Sequence, residues 1–294
     1  MQYENTVLFV SSADDNLYSY NMETEEVSPF CKDATCDHKG VNCAAGGVNC
    51  NLEQYDGKVY GKNLLASSMK ELKNGVFEQA VSGIYHFWHS GGNLYVATQD
   101  KSLLVYENGG KPKTLLDEYT GYWETIFDGY LYFESNSCVY RVNLQAEHPQ
   151  TEILVENADF MTDGTHIYYV PYDTFYLYRC NMDGSGKTLL LEKPVLPGTS
   201  NFDEEYYYFR LYTNQELRTG EDSQDLYRFP KSDPTKIEKI AHLDNAISTV
   251  YTVPGYDKIF VVCVTVYEDY SRDEFVYTMN KDGGNVKQLE IPIA

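Results

Sequence analysis

Short apolar runs, most of them alternating with polar residues, recur along the whole chain between acidic or glycine-containing turns. One kind of run directly follows such a turn and carries tyrosine or phenylalanine; its copies include residues 56–60, 91–95, 128–132, 163–168 and 203–208. A second kind begins with tyrosine and leads into a turn; its copies include residues 18–23, 140–145, 178–183 and 277–282. Alternation rich in aromatic and β-branched residues predicts strands, and the Asp-Gly and Asn-Gly pairs predict tight hairpins.

A third apolar run follows each hairpin, and a short strand precedes each acidic turn, so every unit has four antiparallel strands. A unit of about 42 residues with four strands is typical of a propeller blade. The sequence therefore predicts an all-β fold, a seven-bladed β-propeller, as one domain over residues 1–294. The predicted blades begin near residues 1, 51, 84, 122, 157, 198 and 247. Six or eight blades stay open because the second repeat is degenerate.

Composition adds two expectations to this architecture. The chain has 28 tyrosines, and those at the repeat positions are expected in the core between blades. The formal net charge of −21 disfavours nucleic acid and anionic membranes, and favours a basic or neutral partner. No apolar run is long enough for a membrane helix, so no membrane insertion is expected, and a monomer is the expected unit.

A cysteine-rich insertion at residues 31–50 is predicted between the first and second blades. Cys31, Cys36, His38 and Cys43 lie within thirteen positions of one another. Thiolates and an imidazole at this spacing suit a structural zinc ion. Disulfides and ordinary reduced thiols remain alternatives.

The repeats resemble the YWTD-type propeller of low-density-lipoprotein-receptor-related proteins, and more closely a bacterial domain family of unknown function named after it. The resemblance covers almost the whole chain. Bacterial relatives often carry a Cys, a Cys-x-His and a further Cys after the first blade, as at positions 31, 36–38 and 43 here, without a known role. The resemblance implies an extracytoplasmic protein. The N-terminal residues resemble no signal peptide, so a cytoplasmic location is the alternative if Met1 is the native start.

Two groups of residues are candidates for ligand binding. The leading strand of a blade lines the channel of a propeller, and Trp88, His89 and Trp123 lie in such strands, where they could form an aromatic rim. Three long segments, residues 31–51, 211–224 and 265–272, are expected to emerge from one face. They supply an acidic and aromatic set of candidates: Tyr212, Tyr267, Glu268, Asp269 and Tyr270.

No nucleotide-binding, hydrolase or metalloprotease motif is present in the sequence. We therefore expect a non-enzymatic scaffold that presents loops on one propeller face to a protein, peptide or glycan. The alternative is a carbohydrate-active hydrolase or lyase that uses residues at the channel mouth. A buried carboxylate or histidine there with a strongly shifted pKa would favour the enzyme.

Overall fold

The computed structural model describes most of the chain. It leaves out residues 4, 12–15, 32–35, 37–42, 44–49, 64–66, 74–75, 197–199, 212–223, 268–270 and 293–294. At residues 3, 50, 51, 63, 76 and 123 it describes the backbone alone.

The described residues form seven antiparallel sheets of four strands each and no α-helix. The fold is an all-β, seven-bladed β-propeller, as the sequence predicted. The strands divide between two compact units, one of residues 1–120 with 290–294 and the other of residues 121–289.

The first unit contains blades 1 to 3. Their strands are β1 (Gln2–Tyr3), β2 (Thr6–Val10), β3 (Leu17–Asn21), β4 (Val27–Pro29), β5 (Cys50–Tyr55), β6 (Lys58–Asn63), β7 (Ser68–Lys73), β8 (Val76–Ser82), β9 (Ile84–Ser90), β10 (Asn93–Thr98), β11 (Leu103–Glu107) and β12 (Lys113–Leu116).

The second unit contains blades 4 to 7. Their strands are β13 (Tyr122–Phe127), β14 (Tyr130–Ser135), β15 (Cys138–Asn143), β16 (Thr151–Val155), β17 (Ala158–Thr162), β18 (His166–Pro171), β19 (Leu177–Asn181), β20 (Thr188–Leu191), β21 (Asn201–Phe202), β22 (Tyr206–Phe209), β23 (Asp225–Pro230), β24 (Glu238–His242), β25 (Ala246–Thr252), β26 (Lys258–Val266), β27 (Arg272–Asn280) and β28 (Lys287–Gln288).

Each sheet is built from four strands that are consecutive in the sequence, so none of these sheets borrows a strand from another part of the chain. The first strands begin within three residues of the predicted positions, at Gln2, Cys50, Ile84, Tyr122, Ala158, Asn201 and Ala246. Even the degenerate second repeat is complete, because β7 pairs with both β6 and β8. Among the described residues there is no helix long and apolar enough to cross a membrane.

The tyrosines of the repeats lie mostly between consecutive blades. Tyr168 and Tyr207, from blades 5 and 6, belong to one buried cluster and have ring centroids 5.2 Å apart. Tyr208 of blade 6 packs in the next cluster with Val261 and Met279 of blade 7. The aromatic repeat is thus the core that joins blades, as the composition predicted.

The aspartates of the acidic turns also connect neighbouring blades, which the sequence did not reveal. Asp203 Oδ1 accepts hydrogen bonds from the amides of Glu205 and Tyr206, both at 2.8 Å, which closes the turn between β21 and β22. Its Oδ2 accepts the Tyr208 hydroxyl at 3.0 Å and lies 2.9 Å from Nζ of Lys281 in blade 7. One carboxylate therefore fixes a turn, a core tyrosine and the adjacent blade.

The same arrangement recurs one blade earlier. Asp163 accepts the amides of Thr165 and His166 at 2.9 Å and the Tyr168 hydroxyl at 3.2 Å. Nζ of Lys231, from blade 6, lies 3.5 Å from Asp163 Oδ2. The repeated Asp, Tyr and Lys residues therefore connect neighbouring blades, and this structural role explains their spacing without a binding role.

Candidate functional site

The cysteine-rich insertion brings three of its predicted ligands together. The Sγ atoms of Cys31, Cys36 and Cys43 all lie within 4.8 Å of one another, and Cys43 is buried. His38, the fourth predicted ligand, lies outside the described residues. Tetrahedral zinc with Zn–S bonds of about 2.3 Å sets sulfurs about 3.8 Å apart, so the three thiols fit a soft metal ion after small rotations.

Trp88 and His89 are neighbours on β9 with different surroundings. The indole of Trp88 is only 9% exposed and stacks on Tyr95, with ring centroids 5.4 Å apart. His89 is exposed, and its Nδ1 lies 2.7 Å from Oε2 of Glu53 in blade 2. Burial raises the pKa of Glu53, and the histidine partly offsets this effect. Trp88 thus faces the interior, whereas His89 and Glu53 form a pair near the surface.

The other predicted ligand residues lie mostly in parts of the chain that are not described. Trp123 lies on β13, where its backbone alone is described, and Tyr212, Glu268, Asp269 and Tyr270 lie outside the described residues. Tyr267 is exposed, and its hydroxyl donates to Asp273 Oδ2 at 2.6 Å. The segment 265–272 is not simply a loop, because β26 continues to Val266 and β27 starts at Arg272.

A surface that sequence reasoning missed lies at the edges of blades 4 and 5 where their second and third strands are joined. We call Tyr122, Glu134, Asp159 and Tyr172 the tyrosine–carboxylate patch. Tyr122 pairs with Glu134 across β13 and β14, so both side chains project from the same side of that sheet. Asp159 is the second residue of β17, and Tyr172 follows β18 directly. The side chains of Tyr122 and Tyr172 are 42% and 36% exposed.

Two residues of the patch, Asp159 and Tyr172, have raised pKa values. Burial raises the pKa of Asp159 to about 6; the hydrogen bond from the Phe160 amide, at 2.7 Å, opposes the shift, and the charge of Glu134 adds to it. Burial and the same two carboxylates raise the pKa of Tyr172 to about 12. The carboxylates and the phenol therefore lie close enough to influence one another.

A cavity of about 20 Å³ lies beside Asp159, within the second unit between blades 5 and 6. We call it the Asp159 cavity; its lining residues are Asp159, Phe160, Met161, Tyr168, Val170, Ser200 and Tyr207. A cavity of this size holds a group about as large as one water molecule.

Ser200 gives the Asp159 cavity an unsatisfied polar group. Its side chain is 8% exposed, and Oγ has no hydrogen-bond partner among the described residues. The hydroxyl lies near Tyr207: burial raises the pKa of Tyr207, and the proximity of the Ser200 hydroxyl opposes that shift. A buried hydroxyl without a partner costs about 1–3 kcal/mol, so a bound group that supplied the missing hydrogen bond would be stabilised.

One sequence signal could have drawn attention to this site. In β17, Ala158, Phe160 and Thr162 are buried, and Asp159 is a charged residue in a strand that is otherwise apolar or weakly polar. The partners of Asp159 gave no such signal. Glu134, Tyr172 and Ser200 resemble many other residues of an acidic, tyrosine-rich chain, and only the fold brings them together.

No family profile and no curated protein sequence matches the chain. Among solved structures, it is similar to the dihydro-heme d1 dehydrogenase NirN in complex with DHE, with a TM-score of 0.60 and 12% identity over 98% of this chain and 64% of that one. It is also similar to an oligogalacturonate lyase from Vibrio parahaemolyticus, with a TM-score of 0.59 and 12% identity over 97% of this chain and 84% of that one.

A third similar structure is a streptogramin B lyase, with a TM-score of 0.50 and 12% identity over 98% of this chain and 91% of that one. Identities this low show the shared propeller fold alone. These three proteins are a dehydrogenase and two lyases of different substrates, so the shared fold does not select a function. The closer relation to YWTD-type propellers stays a prediction.

Proposed function

We propose that the protein is a non-enzymatic binding scaffold that presents one edge of its blades to a protein, peptide or glycan. The observation that supports this function is the tyrosine–carboxylate patch, in which two exposed phenol rings flank two half-buried carboxylates. Phenol rings attract cations and stack on sugar rings, and carboxylates accept hydrogen bonds from either. The net charge of −21 favours approach of a basic partner in particular.

Arrays of lysine- and arginine-containing peptides and of oligosaccharides test this function. We expect the wild type to bind members of at least one array, and the double variant Tyr122→Ala/Tyr172→Ala to bind them at least about tenfold more weakly, because aromatic anchors carry much of a binding energy. Tyr251→Ala is the matched control, since Tyr251 is an exposed tyrosine of blade 7 outside the patch. The proposal fails if no array member binds, or if the control weakens binding as much as the double variant.

The finer proposal for the cysteine-rich insertion is a structural zinc ion held by Cys31, Cys36 and Cys43, with His38 as the fourth ligand. The supporting observation is the convergence of the three sulfurs. A zinc ion with four protein ligands has no open position for chemistry, so it would order the insertion between blades 1 and 2.

Metal analysis of the protein purified under reducing conditions tests the zinc proposal. We expect one zinc per chain, lost in Cys36→Ser and retained in Cys138→Ser, whose thiol lies in blade 4. Protein without zinc that shows a loss of titratable thiols under non-reducing conditions would instead indicate disulfides.

A second candidate function is a carbohydrate-active hydrolase or lyase. The specific observation in its favour is the pKa of about 6 at Asp159, which suits a general acid near neutral pH, beside the second carboxyl group of Glu134. Turnover of a polysaccharide, followed as new reducing ends or unsaturated products, would support the enzyme if Asp159→Asn abolishes it. Absence of turnover with bound ligand would favour the scaffold.

A further inference from the structure

We propose that the Asp159 cavity binds a primary ammonium group, the head of a lysine side chain or of a small polyamine. This proposal deepens the proposed function, because it names the chemistry that the tyrosine–carboxylate patch would recognise. Its basis is the combination of a carboxylate, a buried hydroxyl that has no partner in the described part of the chain, and aromatic walls around a space the size of one ammonium group.

The polar atoms of the cavity match the donors of an ammonium group. An ammonium has three N–H donors and no acceptor, so it needs three acceptors around one small space. Asp159 supplies a carboxylate, and Ser200 supplies a hydroxyl oxygen that has no donor among the described residues. Tyr207 lines the same cavity, and a phenol hydroxyl can accept the third hydrogen bond.

The walls of the cavity match the rest of such a ligand. Phe160, Met161 and Val170 are apolar, and Tyr168 and Tyr207 present aromatic rings. Apolar surface suits the methylene stem that carries an ammonium group, and aromatic rings attract the cation itself. A guanidinium group is planar and larger than one water molecule, so a cavity of about 20 Å³ favours the ammonium.

The surroundings of Asp159 define how binding depends on pH. Among the described residues, the titratable groups around it are Glu134 on β14, Tyr172 after β18, Tyr168 on β18 and Tyr207 on β22. The tyrosines stay neutral near pH 7, because burial and nearby charges raise their pKa values. A cation binds the ionised carboxylate, and the pKa of Asp159 is about 6 without ligand. Affinity should therefore be maximal above pH 7 and fall about tenfold per pH unit well below 6.

Calorimetric titration with 1,5-diaminopentane and with acetyl-Gly-Lys-Gly-amide tests the proposal on the full chain. At pH 8 we expect one site per chain, at least about tenfold weaker in Asp159→Asn and several-fold weaker in Ser200→Ala, as for lost charged and neutral hydrogen bonds. Asp128→Asn is the matched control. It removes one exposed negative charge from the other edge of blade 4, so binding should be unchanged.

Tighter binding of the diamine would assign the site to a free polyamine, and tighter binding of the peptide would assign it to a lysine side chain. Binding that Asp159→Asn leaves intact, or wild-type binding that is unchanged between pH 8 and pH 5, would overturn the proposal. The wild-type pH profile keeps the test valid if a variant does not fold. If neither probe binds while the array ligands are still lost in the tyrosine double variant, the ammonium proposal fails and the proposed function stands.

Discussion

At the scale of single residues, two aspartates of the second unit respond to burial in opposite ways. Burial alone would raise the pKa of Asp203, but the amide of Tyr206, the ammonium of Lys281 and the amide of Glu205 together hold it below its ordinary value. Asp159 has one amide donor and a neighbouring carboxylate, so burial raises its pKa to about 6. The partners of Asp203 therefore stabilise its ionised form. The ionised form of Asp159 lacks such stabilisation, so a bound cation would stabilise it.

We expect Asp203→Asn to lower the free energy of unfolding by about 2 kcal/mol at pH 7, because Lys281 loses its partially buried counter-charge. The folded pKa lies below the unfolded value of about 3.9, so this stability is present above that value and lost as pH falls through the folded pKa. The difference in unfolding free energy between wild type and variant, measured in urea, should therefore shrink as pH falls below about 3.9. Asp159→Asn is the control, and it should leave the free energy of unfolding at pH 7 unchanged or raise it. An equal loss of unfolding free energy in both variants would contradict the stabilising role of the Asp203–Lys281 ion pair.

At the scale of elements, blade 7 carries a hairpin that extends beyond its sheet. The first strand, β25, pairs with β26 only as far as Val264, opposite Ala246. Beyond it, β26 and β27 pair as a two-stranded ribbon, Thr265 with Asp273 and Val266 with Arg272. A two-stranded ribbon without a third strand contributes little stability, so its length is not explained by the fold.

Replacing residues 265–273 with Asn-Gly joins the paired residues Val264 and Glu274 through a tight hairpin. We expect the free energy of unfolding to change by less than about 1 kcal/mol, because the replacement removes only the two-stranded part of β26 and β27 that lies beyond β25. The matched control joins Val262 to Val276 in the same way and also removes the buried Cys263, which should cost more than about 2 kcal/mol. If both variants lose the same free energy of unfolding in urea, the ribbon stabilises the blade and this prediction is wrong.

At the scale of the whole molecule, the sequence predicted the seven blades because each repeat carries its own strand and turn signals. These signals are local: they are the alternation of apolar and polar residues, the Asp-Gly and Asn-Gly turns, and the tyrosine positions. They can therefore be recognised without knowledge of tertiary contacts. The sequence also predicted that Cys31, Cys36 and Cys43 converge, because they are close along the chain.

The tyrosine–carboxylate patch and the Asp159 cavity were not predicted, because the residues of each come from different blades. Asp159 and Ser200 are 41 positions apart and meet only when blades 5 and 6 pack together. A hydroxyl without a partner is likewise a property of the packed structure, and no pattern along the chain marks it. In a repeat protein, local signals specify the blades, whereas a binding site depends on the few residues that depart from the repeat.

The most direct test of the proposed site is a crystal structure of the protein with 1,5-diaminopentane at pH 8. We expect one terminal nitrogen inside the Asp159 cavity, about 2.7–3.0 Å from both an Asp159 carboxylate oxygen and Ser200 Oγ, with the chain leaving past Tyr172. A diamine ordered only elsewhere, or a cavity that holds water alone at saturating diamine, would contradict the ammonium site.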